Sequence, residues 1–190
     1  MKDLSNKILI VTGANGLIGK EIVHELEEHA ATIIAADIAF ETEVIDEKKS
    51  TFKLDLSDNT SIDSLVEFAM DNYGRIDGLI NAAYPRTKDW GKYKFEDTPF
   101  THWKKNVELQ LNSVFYLDQQ VLKVMEAQKF GSIVNFGSIY GIVGNDFTIY
   151  EDYGGTSPAE YCAVKGGIIN FTRYLASYFG KYNVRVNCVC

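Results

Sequence analysis

Short runs of apolar, often β-branched residues alternate along the chain with longer stretches whose apolar positions recur every three or four residues. The short runs read as strands: Lys7 to Thr12, Ala31 to Ala36, Ser50 to Leu54, Ile76 to Ala83, Ser132 to Phe136 and Val184 to Val189. Between them, Lys20 to His29 is amphipathic, and Ser61 to Tyr73 carries Ile62, Leu65, Val66, Phe68 and Ala69 at helical spacing before a stop at Gly74. Asp55-Leu56-Ser57-Asp58 forms the turn and helix cap before that stretch. Thr101 to Gln128 reads as one long helix that Gly131 stops, and Ala159 to Phe179 as another, with Pro158 in its first turn, Thr156 or Ser157 as cap and Gly180 as stop. Polar residues 41–49 read as a loop, and Tyr84 to Pro99 and Ile139 to Ser157 as long irregular segments. Strands alternating with helices imply an α/β domain over 1–190, built on a doubly wound parallel sheet with right-handed crossovers. No internal repeat, low-complexity tract or linker interrupts it.

Bulk properties narrow the partners more than the fold. The chain has 190 residues, 46% of them hydrophobic and 24% charged, the ordinary range for a globular domain that buries a core. Its net charge of −7, with no local basic cluster, argues against nucleic acid or an anionic membrane surface as partner. No apolar run approaches the roughly 20 residues that span a bilayer, and Met1 to Lys7 lacks a signal core, so a cytoplasmic location is expected. Cys162, Cys188 and Cys190 show no metal-ligand grouping with His and read as reduced, mostly buried thiols.

Three places carry chemistry. Gly13-Ala14-Asn15-Gly16-Leu17-Ile18-Gly19 lies between the first strand and the first helix. Glycines there let backbone approach a pyrophosphate, and the N–H groups from Asn15 to Gly19 face it at a helix N-terminus. Asp37 ends the second strand 18 residues past Gly19, where a carboxylate accepts from ribose hydroxyls and repels a 2′-phosphate; NAD is expected over NADP. Asp55, with Leu56 beside it, stands where an adenine amino group could be held, and is equally a turn-forming residue type. Small residues ending the fourth strand leave room for a nicotinamide ribose against the backbone. Finally, Tyr161 and Lys165 fall four residues apart and so share one helix face.

Taken in order, the Thr12-Gly13-x-x-Gly16-x-x-Gly19 region, Asn112, Ser138 and Tyr161-x-x-x-Lys165 resemble the short-chain dehydrogenase/reductase family across essentially the whole chain. That resemblance implies a Rossmann-like, three-layer α/β/α fold with strand order 3-2-1-4-5-6. It implies Tyr161 as general acid/base, Lys165 as its neighbouring cation and a grip on the nicotinamide ribose, Ser138 on the reacting oxygen, and Asn112 holding a water that relays protons to Lys165. A phenol of pKa about 10 needs roughly 4 kcal/mol of preference for its phenolate to act near pH 7, which a close cation supplies. Asn81-Ala82-Ala83 stands where the family has Asn-Asn-Ala-Gly, so its backbone would bound the cofactor pocket. Tyr84 replaces the glycine, which points Tyr84 and Arg86 toward substrate.

Ser138 and Tyr161 lie 23 residues apart, against about a dozen in the family, an insertion placed over the site. With Asn-Ala-Ala-Tyr-Pro-Arg and Gly-Ser-Ile-Tyr-Gly, this loop resembles the subgroup of bacterial surface-sugar and flagellin-modification pathways, and so suggests a sugar-derived alcohol or ketone as the small-molecule substrate. The family continues past Val186-Asn187 with a Pro-Gly turn, a substrate-covering lobe and a seventh strand, so six strands and no lobe are expected here. The large apolar residues of 101–128, from Trp103 through Val107, Leu111, Val114, Phe115 and Leu117 to Val121, exceed what one sheet face needs. A homodimer or homotetramer through 101–128 and 158–179 is therefore expected. Rival readings are a non-catalytic nucleotide-binding or assembly module and, less well matched, a sugar-nucleotide dehydratase or epimerase.

Overall fold

The computed structural model describes residues 3–153 and 156–190; Met1 and Lys2 of the stretch read for a signal, and Gly154 and Gly155 of the second irregular segment, lie outside the described residues. Its strands are β1 (Ile8–Thr12), β2 (Thr32–Asp37), β3 (Glu43–Val44), β4 (Lys49–Lys53), β5 (Gly78–Asn81), β6 (Gly131–Phe136) and β7 (Val184–Val189). They form one sheet in the order β3-β4-β2-β1-β5-β6-β7. Every pairing is parallel except that of β3 with β4. The parallel strands alone follow the expected 3-2-1-4-5-6 order. The expected count of six is corrected to seven, the addition being the two-residue β3 inside the stretch read as loop. Thr51 Oγ1 donates to the Glu41 carbonyl at 2.9 Å, and the Lys53 N–H donates to Thr42 Oγ1 at 3.1 Å, tying down this edge. A short, exposed, polar edge strand has no apolar alternation by which to be read.

Period-two geometry splits the strand residues between two cores. Leu9, Val11, Ile33 and Ala35 pack with Val23 of helix α1 (Leu17–Glu28). Ile10, Ile34, Leu79 and Ile133 face the other way, onto α2 (Asn59–Tyr73), α4 (Ser113–Gln128) and α5 (Ala159–Phe179), through Ile62, Leu65, Leu117, Val121, Met125 and Leu175. β1 and β2 are therefore buried on both faces, whereas β6 and β7 alternate, β7 with Arg185 and Asn187 exposed.

The stretch read as one helix from 101 is a rod with an interruption: α3 (Phe100–Val107), a π-turn over Glu108–Asn112, then α4. Asp58 caps α2 by accepting from the Thr60 N–H at 2.9 Å, and Gly74 closes it with φ +69°, as expected. Two other glycine stops are corrected. Lys129 (φ +58°), not Gly131, makes the left-handed turn after α4, and Gly180 stays helical, leading into a 3₁₀ turn that ends at Asn183 (φ +60°). Pro158 occupies the cap position of α5 and no side chain caps that helix; Ser157 instead accepts from Asn145.

Candidate active site

Parallel strands aim their carboxyl ends at one edge of the sheet, and between β1 and β5 the strand order reverses, leaving a crevice there. Gly13 follows β1 with φ +66°, and a Cβ on it would stand 2.5 Å from the Ala83 Cα. A Cβ on Gly19 would stand 2.0 Å from the Gly13 carbonyl, so the first turn of α1 lies directly on the loop. Gly16 is the cap residue of α1 and offers no side chain. A cleft of about 720 Å³ opens over this cradle, lined by Gly13, Gly16, Leu17, Ile18 and Gly19 on one side and Ala82, Ala83, Tyr84 and Arg86 on the other. Its volume is that of a substantial ligand site, and bare backbone at a helix N-terminus is the donor set a pyrophosphate needs. The residues present thus fit a dinucleotide.

Asp37, Asp55 and Leu56 line the far end of the cleft. The Asp37 carboxylate accepts from the N–H groups of Asn15 and Ala39, both at 3.0 Å, which fixes it at the cleft wall. Asn15 itself is absent from the lining; its contribution is this backbone bond. Asp55 closes a turn by accepting from the Ser57 N–H at 2.8 Å and Ser57 Oγ at 2.7 Å, so the turn-forming reading holds alongside its place in the cleft.

Tyr161 and Lys165 share a face of α5, and Tyr84 joins them to the cleft. The Tyr84 ring meets Tyr161 edge-on at 5.9 Å between centroids, and Trp90 completes a triangle at 5.8 Å from Tyr84 and 6.2 Å from Tyr161. Lys165 Nζ lies 5.6 Å from the Tyr84 ring and 5.9 Å from that of Tyr161, and donates to the Phe136 carbonyl at 2.7 Å. Lys165 is only 8% exposed. Burial lowers its pKa, against the pull of the Cys188 and Cys190 thiols toward the charged form. Burial likewise raises the Tyr84 phenol well above its ordinary value, helped by the neighbouring Tyr161. Arg86 lies 5.6 Å over the outer face of Tyr84.

Ser138 follows β6 and caps a 3₁₀ turn, Ile139–Gly141, by accepting from the Tyr140 N–H at 3.2 Å. That turn rests on α5: a Cβ on Gly141 would meet the Lys165 carbonyl carbon at 2.6 Å. A Cβ on the adjoining Gly166 would stand 3.3 Å from Gly141 O, and one on Gly167 3.2 Å from the Leu111 side chain, so each glycine of the pair inside α5 has a close neighbour.

Asn112 does not join this group. It ends the π-turn on the exposed side and donates to Glu108 Oε2 at 2.5 Å. The residue that the π-turn directs inward is Gln110, 4% exposed, with neither amide atom hydrogen-bonded. It shares a cavity of about 10 Å³ with Lys165, Asn81, Ala83 and Tyr84. Two positions separate these residues, and on a helix two positions reverse the face. Asn81 is also turned from the large cleft. Its Nδ2 donates to Asp118 Oδ1 at 2.8 Å and to Asn135 Oδ1 at 2.7 Å, while Asn135 Nδ2 donates to Asp118 Oδ2 at 2.9 Å and Thr172 Oγ1 at 3.2 Å. Nothing in the linear pattern marked Gln110 or Asp118, since each stands among other polar residues of a helical run, Glu108 and Asn112 around the one and Gln119 and Gln120 after the other.

Comparison with known proteins agrees with this geometry. The family model described as short chain dehydrogenase matches residues 7–190. A post-translational flagellin modification protein A of Campylobacter coli is 32% identical over 193 residues, covering 97% of this chain and 75% of that protein. A 7alpha-hydroxysteroid dehydrogenase of Bacteroides fragilis is 32% identical over 206 residues, covering 100% and 72%. Among solved structures, a short chain dehydrogenase from Leptospira borgpetersenii with bound NAD+ superimposes with a TM-score of 0.84 at 30% identity, covering 99% of this chain and 73% of that one. With a glycine-cradled dinucleotide cleft beside a Tyr–Lys helix face, and these relatives, the chain belongs to the short chain dehydrogenase family and is a nicotinamide-dependent oxidoreductase of that type.

Proposed function

We propose that the protein is an NAD-preferring dehydrogenase/reductase that interconverts a secondary alcohol and a ketone, with Tyr161 moving the proton. One observation carries this reading: Tyr84, a wall of the glycine-cradled cleft, touches both Tyr161 and Lys165, so the cleft and the phenol belong to one site. Gly13, Gly16, Leu17, Ile18 and Gly19 would hold the pyrophosphate, Asp37 the adenosine ribose, Asp55 and Leu56 the adenine end, and Ala82 and Ala83 the nicotinamide ribose. When bound, the dinucleotide supplies the hydride acceptor or donor. Tyr161 Oη takes the alcohol proton in oxidation and returns it to the carbonyl oxygen in reduction. Lys165 favours the phenolate electrostatically, and the Ser138 hydroxyl donates to the reacting oxygen. Gln110, in place of Asn112, presents an amide to the small cavity behind Lys165, whose volume is that of one water.

Tyr161→Phe removes the transferable proton and little else. Turnover is expected to fall at least 1,000-fold while NADH binding, followed by nucleotide fluorescence, stays within about twofold. Retained turnover refutes the assignment. Preference for NAD follows from the fixed Asp37 carboxylate, with Arg86, against Tyr84, the sole basic residue among those lining the cleft. Initial rates with NAD should exceed those with NADP at least tenfold, and Asp37→Ala should narrow the gap; faster turnover with NADP overturns the proposal.

Tyr84, Trp90 and Tyr161 make an aromatic wall, and Arg86 stands beside it with a charge to offer. Such a wall suits the apolar face of a ring whose edge is polar. A sugar derivative is the substrate class this supports, in keeping with the flagellin-modification relative. The outer faces of α4 and α5 provide the contact for a homodimer or homotetramer.

A further inference from the structure

The residue before Tyr161 is a buried carboxylate that the proposed reaction does not use. Glu160 is fully buried, and neither of its oxygens accepts an aligned hydrogen bond. Among the described residues its one basic neighbour is His102 of α3, whose Nδ1 lies 3.0 Å from Glu160 Oε1. His102 is itself 7% exposed, and its other nitrogen faces the irregular segment after β5. Nε2 is 3.3 Å from Asp89 Oδ1 and 3.1 Å from Thr87 Oγ1. Tyr93 Oη donates to the second Asp89 oxygen at 3.0 Å, and its ring stands edge-on to His102 at 5.0 Å. Asn106, one turn along α3, accepts from the Thr87 N–H and donates to Thr87 Oγ1, both at 3.2 Å.

A buried carboxylate is costly unless a cation or hydrogen-bond donor pairs with it. The imidazole reaches both carboxylates, Nδ1 toward Glu160 and Nε2 toward Asp89, and Nε2 also has Thr87 Oγ1 and Asn106 Nδ2 within hydrogen-bond range. The bridge has a direction in the sequence. At one end stands Glu160, next to Tyr161; at the other stands Asp89, next to Trp90, whose ring packs on Tyr161. A second tie holds the other loop on the far side of the tyrosine, where Cys162 Sγ donates to Asn145 Oδ1 at 2.7 Å.

We propose that His102 is a positioning residue: held between Asp89 and Glu160, it latches the Thr87–Tyr93 loop to the first turn of α5 and so sets the Tyr84–Trp90 wall against Tyr161. The inference rests on the proposed reaction only for its consequence, a site shaped to one substrate. The latch itself is read without turnover.

Trp90 reports it in a Trp103→Phe background, where it is the sole tryptophan. The pair His102→Leu with Glu160→Met removes the bridge and the buried charge together, and apolar replacement of a buried ion pair commonly preserves stability. Expected are cooperative melting close to that of the parent, NADH binding within twofold, and at least a twofold rise in acrylamide quenching of Trp90. If quenching of Trp90 is unchanged in that folded double variant, the pair is packing alone and the latch is overturned. Should the double variant fail to fold, Asp89→Ala decides, because it cuts the bridge at its solvent end and leaves the buried pair in place. It should raise Trp90 quenching likewise; no change again overturns the latch. With a ketone substrate, the same variants should raise KM at least tenfold and change kcat less than threefold. Raised quenching without any turnover in the parent would leave the latch standing and count against the reaction instead.

Discussion

Gln110 and Asn112 show how much a single position decides. Both are amides within five residues of helical rod, yet one is buried beside Lys165 without a partner and the other is exposed and bonded to Glu108. A buried amide with no hydrogen bond costs about 1–3 kcal/mol, so its retention asks for a use. Stability and activity should then move in opposite directions. Gln110→Met, close in volume and without polar atoms, is expected to hold or raise the urea midpoint, by about 1 kcal/mol at most, while cutting turnover at least tenfold. Asn112→Ala should leave turnover within about twofold. Equal activity losses in the two variants, or loss in Asn112→Ala alone, would return the role to Asn112. The resemblance led to Asn112 because the family motif asks for an asparagine, and sequence alone does not show which face of a π-turn a residue takes.

At the scale of elements, periodicity carried nearly everything it could. β7 and α5 begin and end where their apolar patterns do, because both bury a continuous stripe against the sheet. The π-turn left no trace, since one extra residue in a helical repeat looks like ordinary scatter, and the exposed β3 had no stripe to show. The surplus of apolar residues in 101–128 was legible, and its outcome is divided. Leu117 and Val121 are core, whereas Phe115 is 47% exposed and lies tilted against Phe171 of α5, the helix that also carries Tyr174 at 60% and Tyr178 at 49%. Tyr174 and Tyr178 stack on each other at 5.9 Å, so the exposed rings form one strip along α4 and α5. A strip of this kind is a contact surface more often than a solvated one. Phe115→Glu combined with Tyr174→Glu should shift the protein to monomer in sedimentation equilibrium without lowering its melting temperature by more than a few degrees. An unchanged mass would place the contact elsewhere.

For the molecule as a whole, the sheet edge that carries the site is held from beneath by a polar knot inside an apolar core. Asp118 of α4 is fully buried and binds Asn81 of β5 and Asn135 of β6, and Asn135 reaches Thr172 of α5. The cradle and the cleft were visible in the sequence because glycines, a strand and a helix must adjoin to form them. This knot was not, because its members are spread over four elements and meet only in the fold. Burial pushes the Asp118 carboxyl up to about 7, partly offset by the amide bonds from Asn135 and Asn81, which favour the ionised form. The folded value thus lies above the unfolded one of about 3.9. Below pH 4 the group is protonated in both states; between pH 4 and 7 the unfolded chain gives up its proton while the fold keeps it. This group's contribution is therefore full at low pH and lost as pH rises through that window, by an amount of order 3 kcal/mol. Asp118→Asn does not titrate there and turns one amide donor toward another, so it should be less stable than the parent throughout. The gap between the two, from urea unfolding at pH 4, 5.5 and 7, should narrow as pH rises. A gap that widens toward neutral pH would mean that the amides hold Asp118 as a buried carboxylate, and the sheet edge would then be clamped by a charge instead of by a neutral hydrogen-bonded knot.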